Sequence, residues 1–475
     1  MREGLATDKV VASAAEAVAD IPDGASILLG GFGVVQGWPS SLIAALQARG
    51  SRELTLICNT PGVGPTSPQR LAESGQIRKL IASFAAYPTR PTPVEAAIKR
   101  GEIELELVPQ GTLVERVRAG GAGLAAFYTP TSVGTEIARG KEERAFDGRR
   151  YVLETALRAD FAIVRAKRAD RLGNLVFRRG ARNFHPVFAT AGAITIAEVD
   201  EIAEPGELDP EAIVTPGIFV DRVVRCEQPL DVRAIRDLSR RYGKQWDVEV
   251  RQRKVGPQGI PPDLMARKTA RLLRRGEYVN LGLGLPTLVS NCIAPEDEIT
   301  LHSENGMLGF GPLVTDGSED VDLYNASGQL VSLLPGASFF HSCDAFAMAR
   351  SGRVTTVVLG GFQVSAAGDL ANWNVPATGV GGIGGAMDLA AGGARILVLM
   401  FHLTRDGQPK LVERCSYPLT AIGCVTTIVT DLAVIDVDRD GFILRELAPG
   451  VSVDDVRQTT AAPLRVASDV RPMEF

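Results

Sequence analysis

Histidine is nearly absent from this chain of 475 residues. Four of them stand at 185, 302, 341 and 402, isolated from one another, and offer no metal cluster. Cysteine is almost as scarce: six residues at 58, 226, 292, 343, 415 and 424 form no C-x-x-C pair. That fits reduced core thiols in a cytosolic protein better than a disulfide framework or a zinc site. Long apolar runs are missing as well. The longest, such as "ILVLM" at 396–400, fall far short of the roughly 20 residues that span a bilayer. The N-terminal stretch "MREGLATDKVVASAAEAVADIPDG" has no apolar signal core. There is no basic excess, and a net charge of -5 argues against a general nucleic-acid binder. A soluble, cytoplasmic protein with neither membrane nor nucleic acid as partner is expected. The one basic region, Arg236 to Arg275, has twelve Lys/Arg against four Asp/Glu and reads as a solvated face before it reads as a contact for an anion.

Glycine, by contrast, is abundant at 50 residues, and 45% of the chain is hydrophobic. This length suggests two or three domains, and so many glycines point to tight turns and close backbone approaches. Short β-branched runs alternate with helical periodicity: "SILLGG" (26–31), "ELTLIC" (53–58), "FAIVRA" (161–166), "AITIAEV" (193–199), "TTVVLGG" (355–361) and "ARILVLM" (394–400). Near-continuous apolar strands separated by helices predict an α/β protein with parallel sheets covered on both faces. The pattern breaks down in the basic, Pro- and Gly-rich "VRQRKVGPQGIPPD", which places an N-terminal domain at 1–228, a linker at 229–263 and a C-terminal domain at 264–475. The two sides repeat each other. Gly24 precedes Gly30 by six residues and Gly276 precedes Gly282 by six; a proline then opens a helix, at 39 and at 286. "AIV" at 162 leads to "GNL" at 173 as "VVL" at 357 leads to "GDL" at 368. Two related, open, mainly parallel-sheet domains in tandem are expected, the first carrying a longer insertion, with the active site in the cleft between them.

Three glycine clusters stand out. "GGFG" (30–33) and "LGLGLP" (281–286) stand where a strand ends and a helix begins, so a phosphate or pantetheine could approach backbone N–H groups there. A tight strand-to-helix turn with no ligand accounts for either equally well. "GVGGIGG" (379–385) fits G-x-G-x-x-G literally, but it follows "NWNVPAT", which is no buried strand, so NAD binding is discounted. One further stretch asks for explanation. "LHSENGMLGF" (301–310) sets Glu304 among apolar residues at the end of a predicted buried strand. Taken alone, that carboxylate reads as the cap of the "NGML" turn.

Taken together, "SENGMLGFGP" (303–312), "LPGASFFHS" (334–342), "GGFQVSAAGDLANW" (360–373) and "GGIGGAMDL" (381–389) resemble class I CoA-transferases, most nearly the 3-oxoacid, succinyl-CoA-dependent kind. "PQGTLVERVRAGGAGLAAFYTPT" (109–131) and "GNLVFRRGARNF" (173–184) carry the likeness through the first half, and "CSYPLTAIGCV" (415–425) and "APGVSVDDV" (448–456) through the second. The chain looks like the two subunits of such an enzyme fused end to end. The resemblance makes Glu304 the nucleophile that receives an acyl group and then CoA, exchanging one activated acyl bond for another without ATP or metal. It also implies Asn280, the backbone N–H groups of Gly360 and Gly361, and Gln110 as stabilisers of the tetrahedral intermediates. Gly282 and Gly284, then Gly30, Gly31 and Gly33, are assigned to the CoA arm. No permanently bound cofactor is expected; a CoA thioester is the substrate, small carboxylic acids are the partners, and the assembly is expected to be a homodimer.

The pattern also departs from the family. The loop "GGFGVVQGWP" is one residue longer, "SFAAYPTRPTPVEAAI" lacks an acidic stretch, "QVSAAGDL" has two alanines where charges are usual, and "NVPATGVGGIGG" lacks a lysine. These changes make a less polar pocket and leave Arg90 and Arg182 as candidates to meet a substrate carboxylate. Acetoacetate and succinate are the default acids. An acyl-CoA hydrolase on the same fold and a non-catalytic CoA-binding homologue are the alternatives.

Overall fold

The computed structural model describes residues 8–475 apart from 34–36, 87–90, 229–231, 234, 238–239, 241–258 and 377–378. Arg90, most of the expected linker and parts of three of the four departing stretches therefore lie outside the described residues. In the first half, seven parallel strands run side by side: Arg222–Arg225, Gly192–Ala203, Ala159–Asp170, Ser26–Leu29, Leu54–Cys58, Ile77–Ala82 and Glu104–Leu107. The central ones are almost entirely buried, as unbroken runs such as "SILL" and "LTLIC" require when helices cover both faces.

The second half rebuilds the same core. Tyr278–Leu281 lies between Thr300–Ser303 and Thr356–Leu359, as Ser26–Leu29 lies between Leu54–Cys58 and Ala159–Asp170. Arg395–Leu399 and Val425–Val429 continue it in parallel. The glycines of the repeat do equivalent work. Gly24 and Gly276 both take positive φ, and each N–H reaches the carbonyl just ahead of the neighbouring strand, Arg52 O at 2.8 Å and Glu298 O at 3.1 Å. Gly173 and Gly368 turn short antiparallel hairpins.

The halves then diverge. After Cys58 the first half runs on through a loop to the helix Gln69–Glu73 and adds parallel strands. After Ser303 the second turns back at once, pairing Ser303 with Met307 and continuing into an antiparallel strand, Met307–Leu313, and its partner Val331–Phe339. Antiparallel strands also extend the opposite edge, so the ten-stranded second sheet is mixed rather than parallel. Pro286 opens a 3-10 helix, Leu285–Cys292, instead of an α-helix. The hydroxyls of Thr287 and Ser290 bond the carbonyls three residues back, at 2.7 and 2.8 Å, which suits the tighter turn. The basic segment is not simply solvated: Arg236 donates to the Glu319 carbonyl at 2.6 Å and Arg240 Nε to its carboxylate at 3.1 Å. No helix among the described residues is long and apolar enough to cross a membrane.

Candidate active site

Three neighbouring parallel strands of the second sheet end together, which gathers the predicted residues from three separate stretches of sequence. Register places Asn280 beside His302 and Val357. Paired residues of parallel strands point to one face, and Glu304, two residues past His302, falls on that face too. The Asn280 Nδ2 atom donates to Glu304 Oε2 at 3.3 Å and lies 3.0 Å from His302 Nδ1. Glu304 is 7 % exposed, and burial raises its pKa against the opposing effect of hydrogen bonds from its own backbone and from Asn280. His302 is fully buried, and burial pushes its pKa down to about 4. The ring is therefore neutral at ordinary pH, free to accept at Nδ1 from the amide that holds the glutamate.

The glutamate is not the cap of its own turn. That turn closes through Gly306 N–H to Ser303 O and Phe340 N–H to Gly306 O, both 3.0 Å. Gly306 has φ +104° and no room for a Cβ, which would sit 2.0 Å from the Phe340 carbonyl. Asn305 Nδ2 donates to the Tyr324 carbonyl at 2.9 Å. Tyr324, fully buried, crosses to the first half by donating to Gly180 O at 3.0 Å and packing at a tilt of 35° against Phe32 with centroids 6.0 Å apart. Glu304 is thus one residue from the boundary between halves.

The glycines sort into two kinds. A Cβ on Gly360 would meet nothing closer than Leu283 O at 3.7 Å, so protein packing does not demand a glycine there. Asn372 donates to its carbonyl at 3.1 Å, which in a planar trans peptide aims the Gly361 N–H the opposite way. Leu283, between Gly282 and Gly284, is 41 % exposed. Gly284 has φ +84°, and a Cβ on Gly282 would press on Val358 O at 3.1 Å. Gly361 is crowded by Met400 and Val398. In "GGFG", by contrast, a Cβ on Gly30 would fall 2.1 Å from His185 Nδ1 and one on Gly31 2.4 Å from Trp38. Those two glycines fit the protein against itself, and Gly33 takes φ +64° in the following turn. The member of that motif that points toward the site is Phe32, through Tyr324.

Gln110 comes from the other half. It opens the helix Gln110–Gly121, its N–H donates to Gly384 O at 2.9 Å, and its side-chain Nε2 is buried without a hydrogen-bond partner. Arg182 is half-buried, with Nη1 on Phe339 O at 3.2 Å, and burial lowers its pKa. A cavity of about 700 Å³ on the first half, lined by Val63, Gln69 and Pro91, does not include Glu304. Sequence reading passed over His302, Tyr324 and Asp388. The last was visible as an acid in an otherwise apolar short helix.

The family profile for coenzyme A transferase matches residues 11–225 and 263–459. This chain belongs to the coenzyme A transferase family. Human mitochondrial succinyl-CoA:3-ketoacid coenzyme A transferase 2 is 42% identical over 490 residues, covering 98% of this chain and 92% of the relative. The two halves have separate counterparts in the 3-oxoadipate CoA-transferase of Pseudomonas putida. One of its two subunits is 49% identical over 46% of this chain and 93% of its own length, and the other is 49% identical over 42% and 94%. In architecture the chain is similar to the acyl-CoA transferase YdiF of Escherichia coli O157:H7, with TM-score 0.77 and 21% identity over 98% of this chain and 95% of that one. The protein is a CoA-transferase whose one chain spans both halves of a two-subunit relative.

Proposed function

We propose that this CoA-transferase moves CoA between an acyl-CoA and a free carboxylic acid, by default succinate and a 3-oxoacid such as acetoacetate, through covalent intermediates on Glu304. The observation that carries the reading is a carboxylate only 7 % exposed at a parallel-strand end, held by the Asn280 amide at 3.3 Å. A glutamate Oε attacks the thioester carbonyl, the C–S bond breaks, and CoA leaves as thiolate, giving a mixed anhydride. The thiolate attacks the glutamyl carbonyl and expels the first acid as carboxylate, leaving a glutamyl–CoA thioester. The acceptor acid repeats the two steps in reverse and returns Glu304 unchanged.

Burial strips water from the nucleophile and protects the anhydride from hydrolysis. Asn280, the Gly361 N–H and Gln110 supply donors to the oxyanions. The open space at Gly360 and the exposed Leu283 favour an arm of CoA passing over the 281–286 turn, and Arg182 suits an acid's second carboxylate. Gly30, Gly31 and Gly33 act less directly, by seating Phe32 and Trp38. The same reading divides the chain into domains 1–228 and 264–475 joined by 229–263, pairs it as a homodimer, and puts it in a reducing compartment such as the cytoplasm, where six free cysteines persist.

The decisive experiment incubates the protein with succinyl-CoA or acetyl-CoA, with and without a second acid, and follows free CoA, new thioester and intact protein mass. Transfer predicts a CoA adduct mapped to Glu304 and new thioester only with acceptor. Thiol release without acceptor makes the enzyme a hydrolase; no turnover at all overturns catalysis.

A further inference from the structure

The run "GVGGIGGAMDL" is no dinucleotide loop, and the transfer chemistry does not by itself account for it. Its glycines let the first half come close. Phe84 bridges Gly382 in antiparallel fashion, and Gly384 N–H donates to Ser83 O at 2.9 Å. A Cβ on Gly382 would meet the Phe84 ring at 2.7 Å, and one on Gly385 would lie 3.7 Å from Gln110 Oε1. Immediately beyond comes the short helix Ala386–Ala391 with Asp388, which is wholly buried.

Asp388 spends its hydrogen bonds on the other half of the chain. Its Oδ2 accepts from Gly111 N–H at 2.8 Å, and its Oδ1 from the hydroxyls of Thr112 at 3.0 Å and Thr131 at 3.1 Å. Gly111 cannot be larger, since a Cβ there would strike Phe346 at 2.6 Å and the Asp388 carboxyl carbon at 2.7 Å. The helix Gln110–Gly121 has no side-chain cap of its own. Its first turn is therefore capped from 277 residues away, by an anion placed where free N–H groups and the helix dipole favour one. That first turn holds Gln110, whose amide N–H₂ is buried and without a hydrogen-bond partner, a cost that a ligand taking it up would relieve.

We propose that Asp388 is a positioning residue: by capping the Gln110 helix across the domain boundary, it fixes the Gln110 amide where it meets the oxyanion of the tetrahedral intermediates. This rests on the reading of Gln110 given above. Asp388 never touches substrate; it acts through the first turn of another domain's helix, and the glycine run is the seat that brings that turn within reach.

A double-mutant cycle on the full chain tests it. D388A is expected to lower kcat for CoA transfer about 100-fold, the cost of misplacing one pre-set donor, with the KM for acyl-CoA changed less than about threefold. D388N, whose amide oxygen can still accept from Gly111 while its N–H₂ donates to the two threonine hydroxyls, is expected to regain all but about tenfold of the rate. In a Q110A background, D388A is expected to cost less than about threefold further, because the group it positions is gone. If D388A does not fold, T131V enters the same cycle, with a smaller loss that likewise vanishes beside Q110A. Equal losses in both backgrounds, or an unchanged kcat for D388A alone, overturn the positioning role. A Q110A enzyme turning over at the native rate would instead strike the role given to Gln110 and leave the chemistry at Glu304 standing.

Discussion

At the scale of single residues, everything turns on one buried carboxylate and the amide beside it. A carboxylate must be ionised to attack, and burial raises the pKa of Glu304. The rate of acyl transfer to enzyme is accordingly expected to rise with pH across the titration of Glu304 and then level off, read from kcat/KM in a single-donor assay. Replacing the nucleophile by E304Q is expected to abolish the adduct and to lower turnover by at least about 10⁴-fold. The same variant removes the need to bury a charge. A raised pKa means that the stability associated with the protonated form is full below the unfolded pKa and lost as pH rises through the folded one. E304Q is thus expected to unfold at a temperature no lower than the native enzyme at pH 8 in a calorimetric scan, while being inactive. N280A, which deletes a donor but not the nucleophile, is expected to lower kcat about 100-fold with a smaller change in KM.

At the scale of elements, the strand-to-turn junctions decide what a glycine is for. "GGFG" at 30–33 and the "GG" at 360–361 both follow a buried parallel strand, Ser26–Leu29 and Thr356–Leu359, yet the packing around them differs. A methyl group on Gly31 would enter the Trp38 ring at φ +140°, whereas one on Gly360 would find ordinary contact only. G31A is expected to lose about 2–4 kcal/mol of stability in denaturant titration, from overpacking and backbone strain together. G360A is expected to shift stability by less than about 0.5 kcal/mol while raising the KM for acyl-CoA. The reverse pattern would reassign the two loops. Asp388 belongs to this scale as well. Burial pushes its pKa up to about 6 from 3.8, so the folded state gives up about 3 kcal/mol as pH climbs from below 4 to above 6. A pH series of unfolding free energies is expected to be flatter for D388N over that window.

These elements also mark what could be foreseen. The parallel strands, the internal repeat and the buried setting of Glu304 were legible because a strand covered on both faces must be apolar along its whole length, and a charge at its end stands out. The hairpin that follows Ser303 was not legible. Its reversal depends on Gly306 meeting the Phe340 carbonyl, a contact no local pattern encodes. His302 as the prop of Asn280 was hidden likewise, since only the register between two strands puts 280 beside 302. Asp388 was hidden most deeply, because its partners lie in the other half of the chain.

At the scale of the whole molecule, the halves are held by contacts spread along one boundary. Arg178 Nη1 reaches Asp320 at 2.7 Å, Ser342 N–H donates to Asn183 O at 3.0 Å, Tyr324 is buried against Gly180, and Asp388 caps the Gln110 helix. None of these needs a continuous chain. Arg236 and Arg240 stay with the second half through Glu319 even though they precede the Pro- and Gly-rich stretch, so a cut between 241 and 258 would leave every one of these contacts intact. The counterparts in Pseudomonas putida are separate chains that match one half each. Co-expression of the chain cut after residue 250 is therefore expected to yield two fragments that purify together through a tag on either one. At micromolar concentration their transfer rate should lie within about threefold of the intact enzyme, and on dilution activity should fall, because the linker's contribution is effective concentration. Adding Y324F to the cut protein leaves Gly180 O and the Asn183 amide without the hydroxyl, a cost of about 1–3 kcal/mol placed on the boundary itself. The dilution midpoint should then move to higher concentration by roughly 10- to 100-fold. Fragments that never associate would show that the boundary is too weak to hold unaided and that the covalent tether, not the contact surface, keeps Gln110 within reach of Glu304.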